Sequence, residues 1–399
     1  MFRPEPVTES VYWLGVNDRT TDLFERLWPI PQGIAYNAYV LMDEKVALLD
    51  TVHSQSLEEY AGKLQAVLPE GKGVDYLIIH HMEPDHSGSV KRMREMFPQM
   101  QILGTQKMTD FLRELYGITE NVKAVSDGDT LDLGSHTLSF HSTPMLHWPE
   151  TMMTYDESDG VLFPGDAFGT FGALDGGIFD DEIDISSVDD EAIRYFANII
   201  GKYSMMVRRA LTKLQDLDVN ILAPVHGPVW RRDPRHIIDL YGRLSRMEGE
   251  PGVALVYGSM YGQTAKMMEA VARGIAEEGV TEVSVSDAST IHVSYTIRDC
   301  WKYGVIGLGS PTYDTGLLPP VEELVNGLNH KGLQNRSIGV FGSYGWAGGA
   351  VKQLREFAEE CEFDLLEPAV RANFAPGTEE LEQCEQLGRS LGRAAKEIG

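Results

Sequence analysis

The sequence predicts an α/β protein of two consecutive domains, the second a doubly wound parallel sheet. Three observations predict this. Apolar runs of strand length alternate with helical stretches along the chain. A segment rich in acidic residues, Gly and Pro, Met247-Glu248-Gly249-Glu250-Pro251-Gly252, divides the alternation. Beyond it the alternation becomes regular, as in a parallel sheet covered on both faces.

The chain of 399 residues is long enough for two or three domains, and its 43% of hydrophobic residues is enough to fill their cores. The boundary segment gives domains at 1–248 and 252–399. In the first, Val46 to Leu49, Tyr76 to Ile79, Leu138 to Phe140, Val161 to Phe163 and Ile221 to Ala223 read as buried strands. Leu57, Ala61, Leu64 and Leu68 share one helical face, and Pro234 to Met247 reads as the helix before the boundary. In the second, strands near Val253, Val283, Val305 and Ile338 alternate with helices. Met268, Val271, Ala272, Ile275 and Ala276 form the apolar stripe of the first of these helices.

Composition excludes several classes. A formal net charge of −26 repels nucleic acid and anionic membrane surfaces. No apolar run approaches a membrane span. Met1 to Ser10 lacks the basic start and apolar stretch of an export signal. With that and only three cysteines, Cys300, Cys361 and Cys384, the chain is expected in the cytoplasm. No CxxC pair exists, so thiolate zinc, iron–sulfur and rubredoxin-type centres are absent.

The densest chemistry is His80-His81-Met82-Glu83-Pro84-Asp85-His86, directly after the strand Tyr76 to Ile79. His147, Asp166 and His226 likewise follow strands. On a parallel sheet the four loops would meet at one edge, where α/β sites form. His81, Glu83, Asp85, His86, His147, Asp166 and His226 make four imidazoles and three carboxylates, too many for one ion. A carboxylate can bridge two cations, and Asp166 is the natural shared ligand. Nitrogen and oxygen donors without thiolate suit iron, manganese or zinc. Singly, each of these residues reads as well as a packed His or a turn Asp; their joint spacing carries the metal reading. His80 would point to the opposite face, as a supporting or structural residue.

The second domain opens with a strand, then Ser259-Met260-Tyr261-Gly262-Gln263-Thr264, then a helix. Glycine and small hydroxyl residues at a helix N-terminus cradle a phosphate. No Lys is present to pair a β/γ-phosphate, so a single phosphate, as in FMN, fits better than ATP. Two further loops follow strands, Ser310-Pro311-Thr312-Tyr313-Asp314 and Ser343-Tyr344-Gly345-Trp346-Ala347-Gly348. Together the three loops would line one crevice, with Tyr313, Tyr344 and Trp346 available to cover a planar ring.

At these residues the chain resembles the metallo-β-lactamase fold and, more closely, the flavodiiron proteins. The hydrolases carry HxHxDH; this chain has Glu83 in place of the second His, giving the HxExDH of the flavodiiron family. His147 lies 61 positions after His86, Asp166 a further 19 and His226 a further 60, spacings that also match. The resemblance implies a metallo-β-lactamase-like αββα sandwich followed by a flavodoxin-like doubly wound parallel sheet. It implies His81, Glu83 and His147 on one iron, Asp85, His86 and His226 on the other, Asp166 bridging, and one FMN. Trp346 resembles the residue that lies against the flavin. Many members carry a pocket His before Tyr36-Asn37-Ala38-Tyr39; here Leu23 to Pro29 contains none. Tyr195 is either a hydrogen-bond donor in the pocket or a packing tyrosine.

The implied function is reduction of O2 to water or of NO to N2O. Reduced FMN and a di-ferrous pair each hold two electrons, which covers both reactions. Lacking a rubredoxin centre, the chain would draw electrons from an external donor such as rubredoxin or a reduced deazaflavin. The family resemblance further implies a head-to-tail homodimer, or a dimer of dimers. A thioester or lactam hydrolase with a flavodoxin-like domain is the alternative, opposed by Glu83. An electron carrier with a non-catalytic first domain is a third reading, opposed by the seven-residue ligand set.

Overall fold

The structure is a computed structural model describing residues 3–398; Met1, Phe2 and Gly399, at the outer ends of the two expected domain spans, lie outside the described residues. The chain forms two compact units. One runs through Tyr195 and resumes over Met205–Gly242; the other takes Phe196–Ser204 and the chain from Arg243 onward.

The first unit begins with strands β1 (Glu5–Pro6), β2 (Val11–Trp13) and β3 (Val16–Asp18). A small hairpin of β4 (Leu23–Phe24) and β5 (Trp28–Pro29) precedes β6 (Ile34–Tyr36), which pairs with β3. β7 (Tyr39–Leu41), β8 (Ala47–Leu49), β9 (Tyr76–Ile78), β10 (Gln101–Gly104) and β11 (Val122–Ala124) complete a sheet of order β1-β2-β7-β8-β9-β10-β11. Its β8 to β11 half is parallel, joined through helices that include Leu57–Val67, Val90–Met96 and Gln106–Tyr116. β12 (Thr130–Asp132), β13 (Thr137–Ser142), β14 (Met152–Asp156), β15 (Val161–Phe163) and β16 (Ile221–Leu222) form the second sheet in chain order. Side chains of both sheets meet in one core, with Leu41, Leu49, Ile78 and Leu103 against Leu138, Phe140, Met152, Val161 and Phe163. The result is a metallo-β-lactamase-like sandwich.

The expectation of a single parallel sheet behind the metal loops is therefore corrected. β9 belongs to one sheet and β13, β15 and β16 to the other. The loops still converge. β14 is antiparallel to both β13 and β15, and β15 is parallel to β16, so β13, β15 and β16 all point the same way.

In the second unit, β17 (Glu250–Tyr257), β18 (Val283–Asp287), β19 (Tyr303–Gly309), β20 (Ser337–Tyr344) and β21 (Asp364–Asn373) form a parallel sheet of order β18-β17-β19-β20-β21, flavodoxin-like and doubly wound. The helix Gln263–Glu277 buries Met267, Met268, Val271, Gly274 and Ile275; Ala276, expected on this face, is exposed. A Cβ on Gly274 would come within 2.0 Å of the Glu385 carbonyl, so glycine lets this helix lie close against Thr378–Glu397.

Two features of the boundary differ from expectation. Glu250 and Pro251 already belong to β17. Phe196–Ser204, inside the expected first domain, packs with the second unit. Its Phe196 ring lies 5.9 Å from the buried Trp301, Gly201 abuts the same indole, and Asn198 Nδ2 donates to the Ser294 carbonyl at 3.1 Å.

Candidate functional site

The turn after β9 is built to present side chains. Pro84 opens a one-turn helix, and the amides of His86 and Ser87 bond to the Glu83 carbonyl at 3.0 and 2.9 Å. That turn aims His81, Glu83, Asp85 and His86 at the same space as His147, Asp166 and His226, all of them buried or nearly so. Asp166 divides the set. Its Oδ2 lies 2.9 Å from His147 Nε2 and 3.4 Å from His81 Nε2. Its Oδ1 lies 3.3 Å from His86 Nε2 and 3.7 Å from His226 Nε2. Glu83 Oε2 sits with the first pair, 3.1 Å from His147 and 3.5 Å from His81. Asp85 Oδ2 sits with the second, 3.1 Å from His86 and 3.3 Å from His226.

This arrangement fits two cations. Both ring nitrogens of His81, both oxygens of Asp85 and Asp166 Oδ1 are buried without a hydrogen-bond partner, a costly state for polar groups that a shared ion relieves. His86 and His226 bring their Nε2 atoms within 3.1 Å of each other, which two lone pairs tolerate when a cation faces both. The donor set is nitrogen and oxygen only.

Supporting contacts fix the ligands. His226 Nδ1 donates to the Ala35 carbonyl at 2.8 Å, which turns Nε2 inward. The buried Asn37 staples the His226 loop: Nδ2 donates to the Pro224 and Gly227 carbonyls at 2.9 and 2.8 Å, and Oδ1 accepts from Trp13 Nε1 at 2.8 Å. Glu150 Oε1 accepts the Met82 amide at 2.8 Å. His80 turns away, its ring held between Asp50 and Thr154, which takes it out of the ligand set.

Burial alone would lower the two imidazoles His86 and His147. The Asp85 charge and contacts with Asp85 and Asp166 instead raise His86 to about 10. Hydrogen bonds to Asp166 and Glu83 raise His147 to about 9. Burial opposes ionisation of Asp166 too, but His81, His147 and His86 hold it well below the usual carboxylate range. Without metal, His86 and His147 are thus held as imidazolium groups beside the Asp166 carboxylate.

Aromatic rings wall the pocket. Phe24 and Tyr36 lie 5.5 and 5.7 Å from the His226 ring. Tyr195, fully buried, stands 5.7 Å from the same ring, and its hydroxyl has no hydrogen-bond partner. Burial, then the Asp166 charge, keeps that hydroxyl protonated. Sequence reasoning missed Glu25. It stands in the stretch where the resemblance leads one to expect a His, at the exposed tip of the β4–β5 hairpin, and its carboxyl accepts from Trp28 Nε1 at 3.0 Å. Burial and the Glu83 charge push it up to about 7.

In the second unit a cavity of about 450 Å³ opens at the C-terminal ends of β17, β19 and β20. Ser259, Met260, Tyr261, Gln263, Thr264, Pro311, Thr312, Tyr313, Asp314, Ser343, Tyr344, Gly345, Trp346 and Ala347 line it, as expected from sequence. Thr315 and Phe374 line it without having been expected. Phe374 follows β21, a strand whose end faces the same edge. Three expected residues are not among those that line it. Gly262 takes a φ of 80° at the helix start, Ser310 Oγ caps the Leu318 amide at 3.0 Å, and Gly348 backs the Tyr344 ring. Ser259 Oγ accepts the Gly262 and Ala265 amides at 3.1 and 3.3 Å, and Thr264 Oγ1 meets Ser343 Oγ at 2.9 Å, so the first and third loops are tied. Trp346 is 95% exposed and Tyr261 85%, a large apolar surface beside a polar cradle. The cleft suits a flat, phosphate-bearing ligand.

Comparisons with known proteins agree with both halves. The model of the ODP family beta lactamase matches residues 34–227, and the flavodoxin model matches 255–388. A nitric oxide reductase of Moorella thermoacetica is 34% identical over 98% of this chain and 98% of its own length. An anaerobic nitric oxide reductase flavorubredoxin of Salmonella paratyphi B is 31% identical over 97% of this chain and 81% of its own. Among solved structures, the flavodiiron protein of Giardia intestinalis superposes with a TM-score of 0.94 at 29% identity, covering 100% of this chain and 98% of that one. The rubredoxin oxygen:oxidoreductase of Desulfovibrio gigas does so at 0.93 and 28%, covering 99% of both chains. With both halves matched in order and relatives aligned over nearly the whole length, the chain belongs to the flavodiiron proteins.

Proposed function

We propose that this protein is an oxidoreductase that reduces O2 to water or NO to N2O, taking electrons from an external donor through FMN to a di-iron site. The observation that carries the reading is the partition of ligands by Asp166, one oxygen toward His81 and His147, the other toward His86 and His226. When bound, two irons and FMN each supply two electrons, enough for the four that O2 needs and the two that a pair of NO molecules needs.

The chain's residues would act as follows. His81, Glu83 and His147 hold one iron, Asp85, His86 and His226 the other, with Asp166 between. Ser259 to Thr264 hold the FMN phosphate at a helix N-terminus. Pro311 to Asp314 and Ser343 to Ala347 would flank the ring, and the exposed indole of Trp346 would be available to cover it. Phe24, Phe171 and Tyr195 keep water from the His226 side, and the Tyr195 hydroxyl offers a neutral donor to a small ligand. Rubredoxin or a reduced deazaflavin serves as donor in this reading. Assembly is a head-to-tail dimer, which supplies the exposed Trp346 and Tyr261 with cover. The three free, buried cysteines accord with a reducing cytoplasm.

The test is anaerobic purification with metal and flavin analysis, then O2 and NO consumption with a reduced external donor. Two irons and one FMN per chain with sustained gas consumption support the reading. Zinc alone from iron-replete cells, with no gas consumption, overturns it.

A further inference from the structure

The Asp166 carboxylate has no anchor outside the ligand set. Among the described residues, every hydrogen bond and ion pair of its two oxygens is to His81, His86, His147 or His226. His226, by contrast, is steered from outside by the Ala35 carbonyl. The aim of Asp166 is therefore set by its backbone, in the loop that follows β15.

That loop does not hold its shape unaided. Phe168 has a φ of 64°, a strained value for a residue with a Cβ. Strain of this kind persists only where the surroundings over-determine it. The turn itself closes with one 3.0 Å bond from the Gly169 amide to the Asp166 carbonyl. Two tyrosines from other elements then press on it. The Tyr195 ring lies so near Gly169 that a Cβ there would come within 3.1 Å of it. Tyr241 donates its hydroxyl to the Gly169 carbonyl at 2.6 Å and sets its ring 5.2 Å from that of Phe168. Tyr241 is fully buried on the helix Pro234–Ser245, where Ile237, Leu240 and Leu244 bury the same face. The hydroxyl is thus delivered from a fixed element to the peptide three positions after Asp166.

We propose that Tyr241 is a positioning residue for the shared carboxylate: by fixing the Gly169 carbonyl, its hydroxyl holds the loop from which Asp166 reaches both ion positions. Outer contacts that orient a ligand tune how tightly its ion is held. Here the ligand faces two ions, so loss of the contact should be felt at both. The inference rests on the reading of Asp166 as the ligand common to the two ions.

The full-length protein, freed of metal by chelation and retaining its flavin, is titrated with Co²⁺ and followed by its ligand-field absorption. Wild type is expected to take up two ions, and D166A to lose affinity for both. Y241F is expected to bind both ions about tenfold more weakly or worse, with both bands altered. Hydrogen exchange of Y241F should rise across Gly165–Phe171 and stay unchanged across His80–Ser89. Tyr241→4-aminophenylalanine, which keeps a donor at the same place, should restore the wild-type titration. Y155F is the control, since the Tyr155 hydroxyl also donates to a carbonyl of this unit, that of Asp218 at 2.9 Å, ahead of β16; it should titrate as wild type does. If wild type takes up fewer than two ions, or D166A binds both as tightly, the shared-ligand reading fails and the Tyr241 proposal with it. If those two results hold and Y241F matches wild type or weakens one ion alone, the Tyr241 proposal alone fails. It also fails if Y155F is as impaired as Y241F, if the 4-aminophenylalanine variant is not restored, or if Y241F does not fold, which marks a general structural role.

Discussion

Replacing Asn37 by Ala tests whether the metal centre depends on a staple remote from any ligand. The side chain is fully buried and makes three hydrogen bonds, to Trp13 Nε1 and to the Pro224 and Gly227 carbonyls. The Pro224 carbonyl keeps a second donor, the Tyr39 hydroxyl at 2.8 Å. Trp13 Nε1 and the Gly227 carbonyl are left without a partner. Each orphaned buried group costs about 1–3 kcal/mol, so the loss should be about 2–6 kcal/mol before any cavity cost. Gly227 follows His226 directly, so the loosened loop should also weaken metal binding, by roughly tenfold. Hydrogen exchange read by mass spectrometry resolves this, since the two units need not unfold together. Protection should fall in peptides covering Ile34–Tyr39 and Ala223–Trp230 and stay unchanged in those of β17 to β21. Asn37→Asp, which sets a carboxylate oxygen against the two carbonyls, should be at least as damaging. A loss below about 1 kcal/mol with an unaltered His226 loop would show that the staple reasoning is wrong.

Asp166→Ala should lower the content of both metals while leaving FMN bound; unchanged metal content would remove Asp166 from the site. In the metal-depleted protein His86 and His147 are raised to about 10 and about 9 from 6.5, so the stability they contribute is full below 6.5 and lost as pH rises through 9 to 10. Thermal midpoints of metal-depleted protein should therefore drop between those pH values, and those of metal-loaded protein should not; parallel curves would refute this. Gly349→Ala would bring a Cβ within 1.8 Å of the Thr315 carbonyl, at a cost of about 1–3 kcal/mol, and should loosen FMN roughly tenfold or more by fluorescence titration. Finally, dimers mixing a His81→Ala, His147→Ala chain with a Ser259→Ala, Thr264→Ala chain should retain about half of the gas-reducing sites if electrons cross between subunits. Mixed dimers of verified cofactor content that are inactive would reject the crossing.

The parts legible in the sequence are those whose chemistry sits in one local stretch at a strand end. His81 to His86, Ser259 to Thr264 and Ser343 to Trp346 are contiguous, and the structure brings them to the turns after β9 and β17 and to the end of β20. Which strand belongs to which of the two sheets was not legible in the runs themselves, because an apolar run such as Val161 to Phe163 does not say which neighbour it pairs with; the sandwich was implied only by the resemblance. Glu25 was invisible for a related reason. Its place beside Trp28 depends on a backbone turn that Glu-Arg does not advertise. Phe374 escaped because β21 alternates irregularly between exposed and buried positions and lacks a continuous apolar run. His80, by contrast, reads correctly by elimination, since a strand's period of two sends neighbours to opposite faces.

The excursion of Phe196–Ser204 bears on how this molecule can be dissected. A fragment starting at Glu250 holds all five strands of its sheet, yet it lacks the turn that closes over Trp301 and the Leu244 carbonyl to which that indole donates at 3.1 Å. Cut there, the flavin half carries a bare tryptophan face and should self-associate rather than behave as a free-standing module. A chimera that exchanges this half for a relative's must bring the relative's counterpart of Phe196–Ser204 with it, although that stretch is written in the other half of the gene.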